Sequence, residues 1–139
     1  MEPLDLSKAP PRSPKLQLDG LAMMPRTIDK LRASLPGGNM GDYRIDGFSR
    51  RMLEMLGITE EQLRDAIASA KSDEDVSEWL REHADTSKYE EFTQYISKRS
   101  IDDVKDKEAF MKRYPILERR PDIYYLADML EADDAEAFK

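Results

Sequence analysis

Apolar positions recur at spacings of three and four along most of the chain, and that period predicts a succession of short amphipathic helices. Leu21, Met24, Ile28, Leu31 and Leu35 form the first stripe. Pro25 falls in its first turn, where a missing N–H has no intrahelical partner to lose. Pro36, Gly37 and Gly38 end the helix, and a loop runs from Asn39 to Asp46. Asp46 is the expected N-cap of a second helix with Phe48, Met52, Leu53 and Leu56 inward, closed by Gly57. Thr59 to Gln62 reads as a capping box for a third helix carrying Leu63, Ala66, Ile67 and Ala70. Ser72 opens a fourth with Val76, Trp79, Leu80 and His83 on one side. A second box, Ser87 to Glu90, precedes the aromatic stripe Tyr89, Phe92, Tyr95 and Ile96. Ser100 is expected to cap a sixth helix through Val104, Phe110, Met111 and Tyr114, and Asp122 a seventh through Ile123, Leu126, Met129 and Leu130.

No strand is predicted. The alternation in Lys15 to Asp19 is too short to build a sheet. Pro3, Pro10, Pro11 and Pro14 exclude a regular helix over residues 1–19. Leu4, Leu6, Leu16, Leu18 and Leu21 would pin that segment along the helical body. The expectation is therefore a single all-α domain of about six or seven short helices over 20–131. An extended Pro-rich N-terminal arm (1–19) packs on it, and an acidic flexible tail (132–139) follows.

Composition narrows the function classes. With 139 residues the chain can bury a core without staples, and with no cysteine it has no disulfide, thiolate metal site or cysteine nucleophile. No apolar run approaches the ~20 residues of a membrane span, so a cytoplasmic protein away from membranes is the simplest expectation. The net charge is −7, which argues against nucleic acid as a partner. A helix-turn-helix reading of Met52 to Thr59 fails on the same ground, because the following helix carries Glu60, Glu61 and Asp65 against Arg64. The charge is uneven: residues 1–44 carry seven Lys/Arg against five Asp/Glu, residues 121–139 one against six. An anionic ligand would favour the N-terminal third.

Candidate chemistry gathers there. Arg26, Asp29 and Lys30 share a face away from the apolar stripe. Free N–H groups at a helix start beside Arg26 could bind an anion, and the competing reading is a solvated ion-pair row. Arg12 could join Arg26, and the Gly41–Tyr43 loop adds Asp42 and Tyr43. The ligand-binding set is thus Arg12, Arg26, Asp29, Lys30, Asp42 and Tyr43, for a small anion or a protein partner. No P-loop, GxSxG or dinucleotide-binding glycine pattern is present. The leading expectation is a non-catalytic binding or interaction protein that needs no cofactor. The alternative is a small cofactor-independent enzyme using Asp29 or Asp42 as acid/base and Arg26 to hold an anion. One histidine, His83, gives no basis for a metal centre, and Asp133, Asp134 and Glu136 lack an EF-hand loop.

Several motifs in one order carry a family resemblance. They are Asp5-Leu-Ser-Lys8, Pro10 to Pro14, Gly20-Leu21, Pro25-Arg26 with Ile28-Asp29-Lys30, Gly41 with Tyr43, and Leu56-Gly57-Ile58. Together they resemble a bacterial family of small proteins classified only as a domain of unknown function. The resemblance covers most of the chain and is strongest from Asp5 to Leu63. Asp122 to Asp128 departs from it, having tyrosine where the family commonly has tryptophan. It implies no activity.

Overall fold

The first stripe becomes the hub of the molecule. In a computed structural model that describes residues 1–45 and 47–139, α1 spans Met24–Ala33 and every residue from Met24 to Leu31 is buried. Pro25 sits in the first turn, and Thr27 ties the helix start by donating its N–H and its hydroxyl to the Met23 carbonyl, each at 2.9 Å. The polar face of α1 is therefore not the solvated row that its sequence allows. Chain on both sides covers it, and each charge has found a partner, as burial requires.

Around α1 stand α2 (Phe48–Leu56), α3 (Glu60–Ser69), α4 (Asp73–His83) and α5 (Tyr89–Lys98). Gly57 closes α2, and the Thr59–Gln62 box opens α3 with bonds of 3.1 and 2.9 Å. Ser72 caps α4. The box expected at Ser87 is absent. Asp85 takes the Ser87 N–H instead and starts a 3₁₀ turn, Thr86–Lys88, ahead of α5. Asp46 lies outside the described residues. Leu21, Met24, Ile28, Leu31, Met52, Leu56, Leu63, Ile67, Leu80 and Phe92 make the main core, each almost fully buried.

The C-terminal third breaks differently from its pattern. The single helix expected from Ser100 is a 3₁₀ turn, Ile101–Asp103, followed by α6 (Lys107–Arg113). Asp103 accepts from the Ser100 N–H at 2.8 Å and Asp106 from the Ala109 N–H at 3.0 Å, so two local caps divide one stripe. A short α7 (Ile116–Arg119) follows. Asp122 does not cap the last helix, because Arg120 holds its carboxylate at 3.0 and 2.9 Å; α8 begins at Leu126 and runs to Ala137. Residues 132–137, expected as tail, are thus the end of α8, and Asp134 is buried there. Ile116, Leu117, Ile123, Leu126 and Met129 form a second, smaller core.

The all-α expectation is corrected by a small sheet: the protein is mostly helical with a two-stranded antiparallel hairpin, β1 (Gln17–Leu18) and β2 (Leu21–Ala22). Asp19 and Gly20 both adopt positive φ, 55° and 87°, as a type I′ turn demands. The hairpin lies on α5. Ahead of it, residues 1–16 contain no helix. Leu6 is buried and donates to the Asn39 carbonyl at 2.8 Å, while Asn39 donates to Leu4 at 2.9 Å. Leu16, expected to pack, is exposed.

Candidate functional site

The burial of α1 decides which of its charges can meet a ligand. Arg26 is only 2% exposed. Its guanidinium donates to both oxygens of Asp134 at 2.6 and 3.3 Å, and to the Arg12 carbonyl at 3.2 Å. Breaking a buried pair of this kind typically costs 3–5 kcal/mol, because it strands the remaining charge. Arg26 Nε has no hydrogen-bond partner among the described residues. Asp134 also accepts the Tyr43 hydroxyl at 2.8 Å. The Tyr43 ring in turn faces two cations, with Arg26 Cζ 5.6 Å and Lys30 Nζ 5.9 Å from its centroid. Burial, then the bond to Asp134, pushes the Tyr43 hydroxyl well above its ordinary pKa.

Arg12 and Asp29 form a second knot. Asp29 accepts the Arg12 N–H at 2.8 Å and its guanidinium at 3.0 to 3.2 Å, and Arg12 reaches Asp73 at 2.6 Å. Through the Arg12 carbonyl the two knots make one network that joins the N-terminal segment, α1, α4 and α8. The anion site expected at the start of α1 is corrected by this geometry: the first turn is buried and its arginine is already neutralised.

The open space lies one turn further along. A cavity of about 550 Å³ is lined by Arg26, Lys30, Asp42, Tyr43, Arg44, Arg113 and Asp133 among its polar walls, and by Leu6, Leu130 and Phe138 among its apolar ones. Four of the expected residues, Arg26, Lys30, Asp42 and Tyr43, therefore meet on one cavity. Arg12 and Asp29 do not line it. Lys30 donates to the Arg44 carbonyl at 3.0 Å, which fixes the loop after α1 against that helix. Gly41 permits the close approach of the N-terminal segment at the rim: its φ is 57°, and a Cβ there would stand 2.8 Å from the Leu6 carbonyl oxygen.

Asp133 escaped the sequence-based set. Its carboxyl is held above the usual carboxylate range by burial first and by the neighbouring Asp134 charge second. The signal was present in α8: Asp133 continues the spacing of Leu126, Met129 and Leu130, so an acid sits on an inward stripe. Asp134 carried the same sign, four residues after Leu130, whereas Arg113 carried none. Among the described residues no group of three His, Cys, Asp or Glu is arranged to hold a metal ion. His83 stacks on Trp79 with centroids 4.6 Å apart, far along α4.

A family model described as a domain of unknown function, DUF5069, matches residues 8–136. The chain belongs to this family. The match takes in both knots of the network, from Arg12 to Asp134, and all the polar cavity residues named above. It leaves Leu6 and Ser7, on the cavity's outer wall, just before its start. No curated protein matches this DUF5069 chain. Among the described residues no helix is long and apolar enough to cross a membrane.

Proposed function

We propose that this DUF5069 protein is a non-catalytic binding protein that takes a small anion in the cavity between α1, the 41–44 loop and α8. The observation that carries the reading is electrostatic. Arg26, Lys30, Arg44 and Arg113 share one cavity wall with two carboxylates, Asp42 and Asp133, in a chain of net charge −7. A concave site with an excess of cations inside a molecule of net negative charge concentrates counter-ions. Arg26 serves the site by fixing Asp134 and Tyr43, and Lys30 and Arg113 supply the potential that the anion meets. The extended N-terminal arm, folded over α1, forms the outer wall through Leu6 and Ser7. The setting is cytoplasmic, with no nucleic-acid or membrane partner.

One observation favours a second reading, a small cofactor-independent enzyme on the same face. Asp133, with its raised pKa beside the cavity, has the character of a general acid. Asp42, the acid/base named from sequence, is exposed on the same wall, whereas Arg12 engages both oxygens of Asp29.

Calorimetric titration with inorganic phosphate tests the binding reading. Wild type should bind in the micromolar to millimolar range, and Lys30→Met and Arg113→Ala should each weaken binding about tenfold, the ~1.4 kcal/mol of a charge-assisted contact. No heat from folded wild type, or variants that bind as tightly as wild type, overturns it.

A further inference from the structure

The polar cavity has a neighbour of opposite character. A second cavity of about 400 Å³ lies between α2, α6 and α8, beside the smaller core. Aromatic rings and thioethers make its apolar walls: Phe48, Phe110 and Tyr114, with Met23 and Met129. Phe110 and Tyr114 stand one turn apart, their ring centroids 4.9 Å from each other and their planes tilted by 48°. Phe48, Phe110 and Tyr114 are only half buried, as is Val104 beside them. They turn large apolar surface to a concave space rather than to the rest of the core.

The charges around this cavity select against an ion. Lys30 lines both cavities, but the groups it meets, the Arg44 carbonyl at 3.0 Å and the Tyr43 ring, belong to the polar one. Its stem serves the apolar cavity and its ammonium the other. Arg113 lies over the Tyr114 ring, 5.4 Å from its centroid. Arg99 pairs with Asp103 at 3.7 Å and lies 5.1 Å from the Tyr95 centroid. Lys105 is exposed and keeps its charge in water. A charged molecule entering here would leave water without gaining a free, buried counter-charge, and burial penalises that. A neutral apolar molecule meets no such penalty.

We infer that this cavity binds a neutral aromatic molecule of two fused rings, seated between Phe48 of α2 and the Phe110–Tyr114 pair of α6. Size and wall chemistry decide the class. Roughly ten to fifteen non-hydrogen atoms fill such a space at the packing density of a protein interior, and it lies in the range of small-molecule sites. Aromatic rings gain from offset or edge-on contact with other rings and from contact with thioether sulfur, beyond the area they bury. An alkyl chain of the same size gains the area alone. The inference goes beyond the anion reading and does not depend on it, because this ligand takes a different cavity and needs no cation.

2-Naphthol, 2-naphthoate, 2-naphthylmethylammonium and 1-octanol are titrated into the full chain at pH 7 by calorimetry. 2-Naphthol, neutral at that pH, should bind at least tenfold tighter than either ion and than octanol, an aliphatic alcohol of comparable hydrophobicity. Val104→Trp, which fills the cavity at a half-buried position, should weaken naphthol binding at least tenfold. Phe110→Leu keeps an apolar wall without the ring, and it is the independent check should the larger substitution fail to fold. It should weaken naphthol and leave octanol unchanged. An ion that binds as tightly as naphthol overturns the neutral class. Octanol binding as tightly as naphthol, or Phe110→Leu without effect, overturns the aromatic one. No heat from folded wild type, or unchanged naphthol binding in folded Val104→Trp, overturns the site itself.

Discussion

At the scale of single residues, Asp133 is a carboxyl whose surroundings oppose its charge. Burial and the charge of Asp134 both favour its protonated form, so the folded state binds its proton more readily than the unfolded chain does. The sign follows from linkage. Where the folded state holds more protons, stability falls as pH rises, so ionised Asp133 costs stability once the pH passes its raised folded pKa. Asp133→Asn should therefore be more stable than wild type at pH 7, and the difference should shrink as pH falls toward the ordinary carboxylate range. Urea denaturation of both proteins at several pH values checks this. A difference that grows on acidification would refute the raised pKa. Asp133 was legible in principle, as an acid on an inward stripe. Arg26 was not, because what makes it a buried structural charge is Asp134, 108 residues away. No local pattern reports a pair so distant, and the same limit hid the Arg12 to Asp73 bond.

At the scale of elements, what the sequence made legible depended on whether a local rule acted alone. The apolar stripe of α1, the glycine stop of α2 and the Thr59 capping box each follow from neighbours within one turn, and each is present. The hairpin was missed although its signal was local: Leu18-Asp19-Gly20-Leu21 puts Asp-Gly between apolar residues. Reading the alternation without the turn hid it. Ser100, boxed with Asp103, starts only a 3₁₀ turn because Asp106 caps a separate helix three residues later, and Asp122 fails as a helix start because Arg120 holds its carboxylate. Two glycines separate backbone strain from close approach. Gly20 and Gly41 both have positive φ, but a Cβ at Gly20 meets nothing within 4 Å, whereas one at Gly41 meets the Leu6 carbonyl oxygen at 2.8 Å. Gly20→Ala should cost about 1–2 kcal/mol, the strain of an alanine in that region. Gly41→Ala should cost more, and it should also free the N-terminal segment, so that limited proteolysis cuts near Leu6 sooner than in wild type. Equal costs with unchanged proteolysis would show that the rim contact is not holding.

At the scale of the whole molecule, the two hydrophobic clusters are unequal. Among the described residues the main core has 18 buried residues drawn mostly from β2 and α1–α5, and the second core has five from the segment after residue 115. Local opening costs least where buried apolar contact is least. α6, with no fully buried residue, should therefore exchange its amide hydrogens well before α1 or α5. α8 should behave differently from its neighbour. It belongs to the smaller core, yet Asp134 ties its last turns to Arg26 and Tyr43, so its protection should approach that of α1. Hydrogen exchange by mass spectrometry resolves these segments. Fast exchange in 107–113 beside slow exchange in 126–137 is expected. Uniform protection across 107–137 would mean that the second core opens as one unit and that the Arg26–Asp134 pair does not anchor α8 separately.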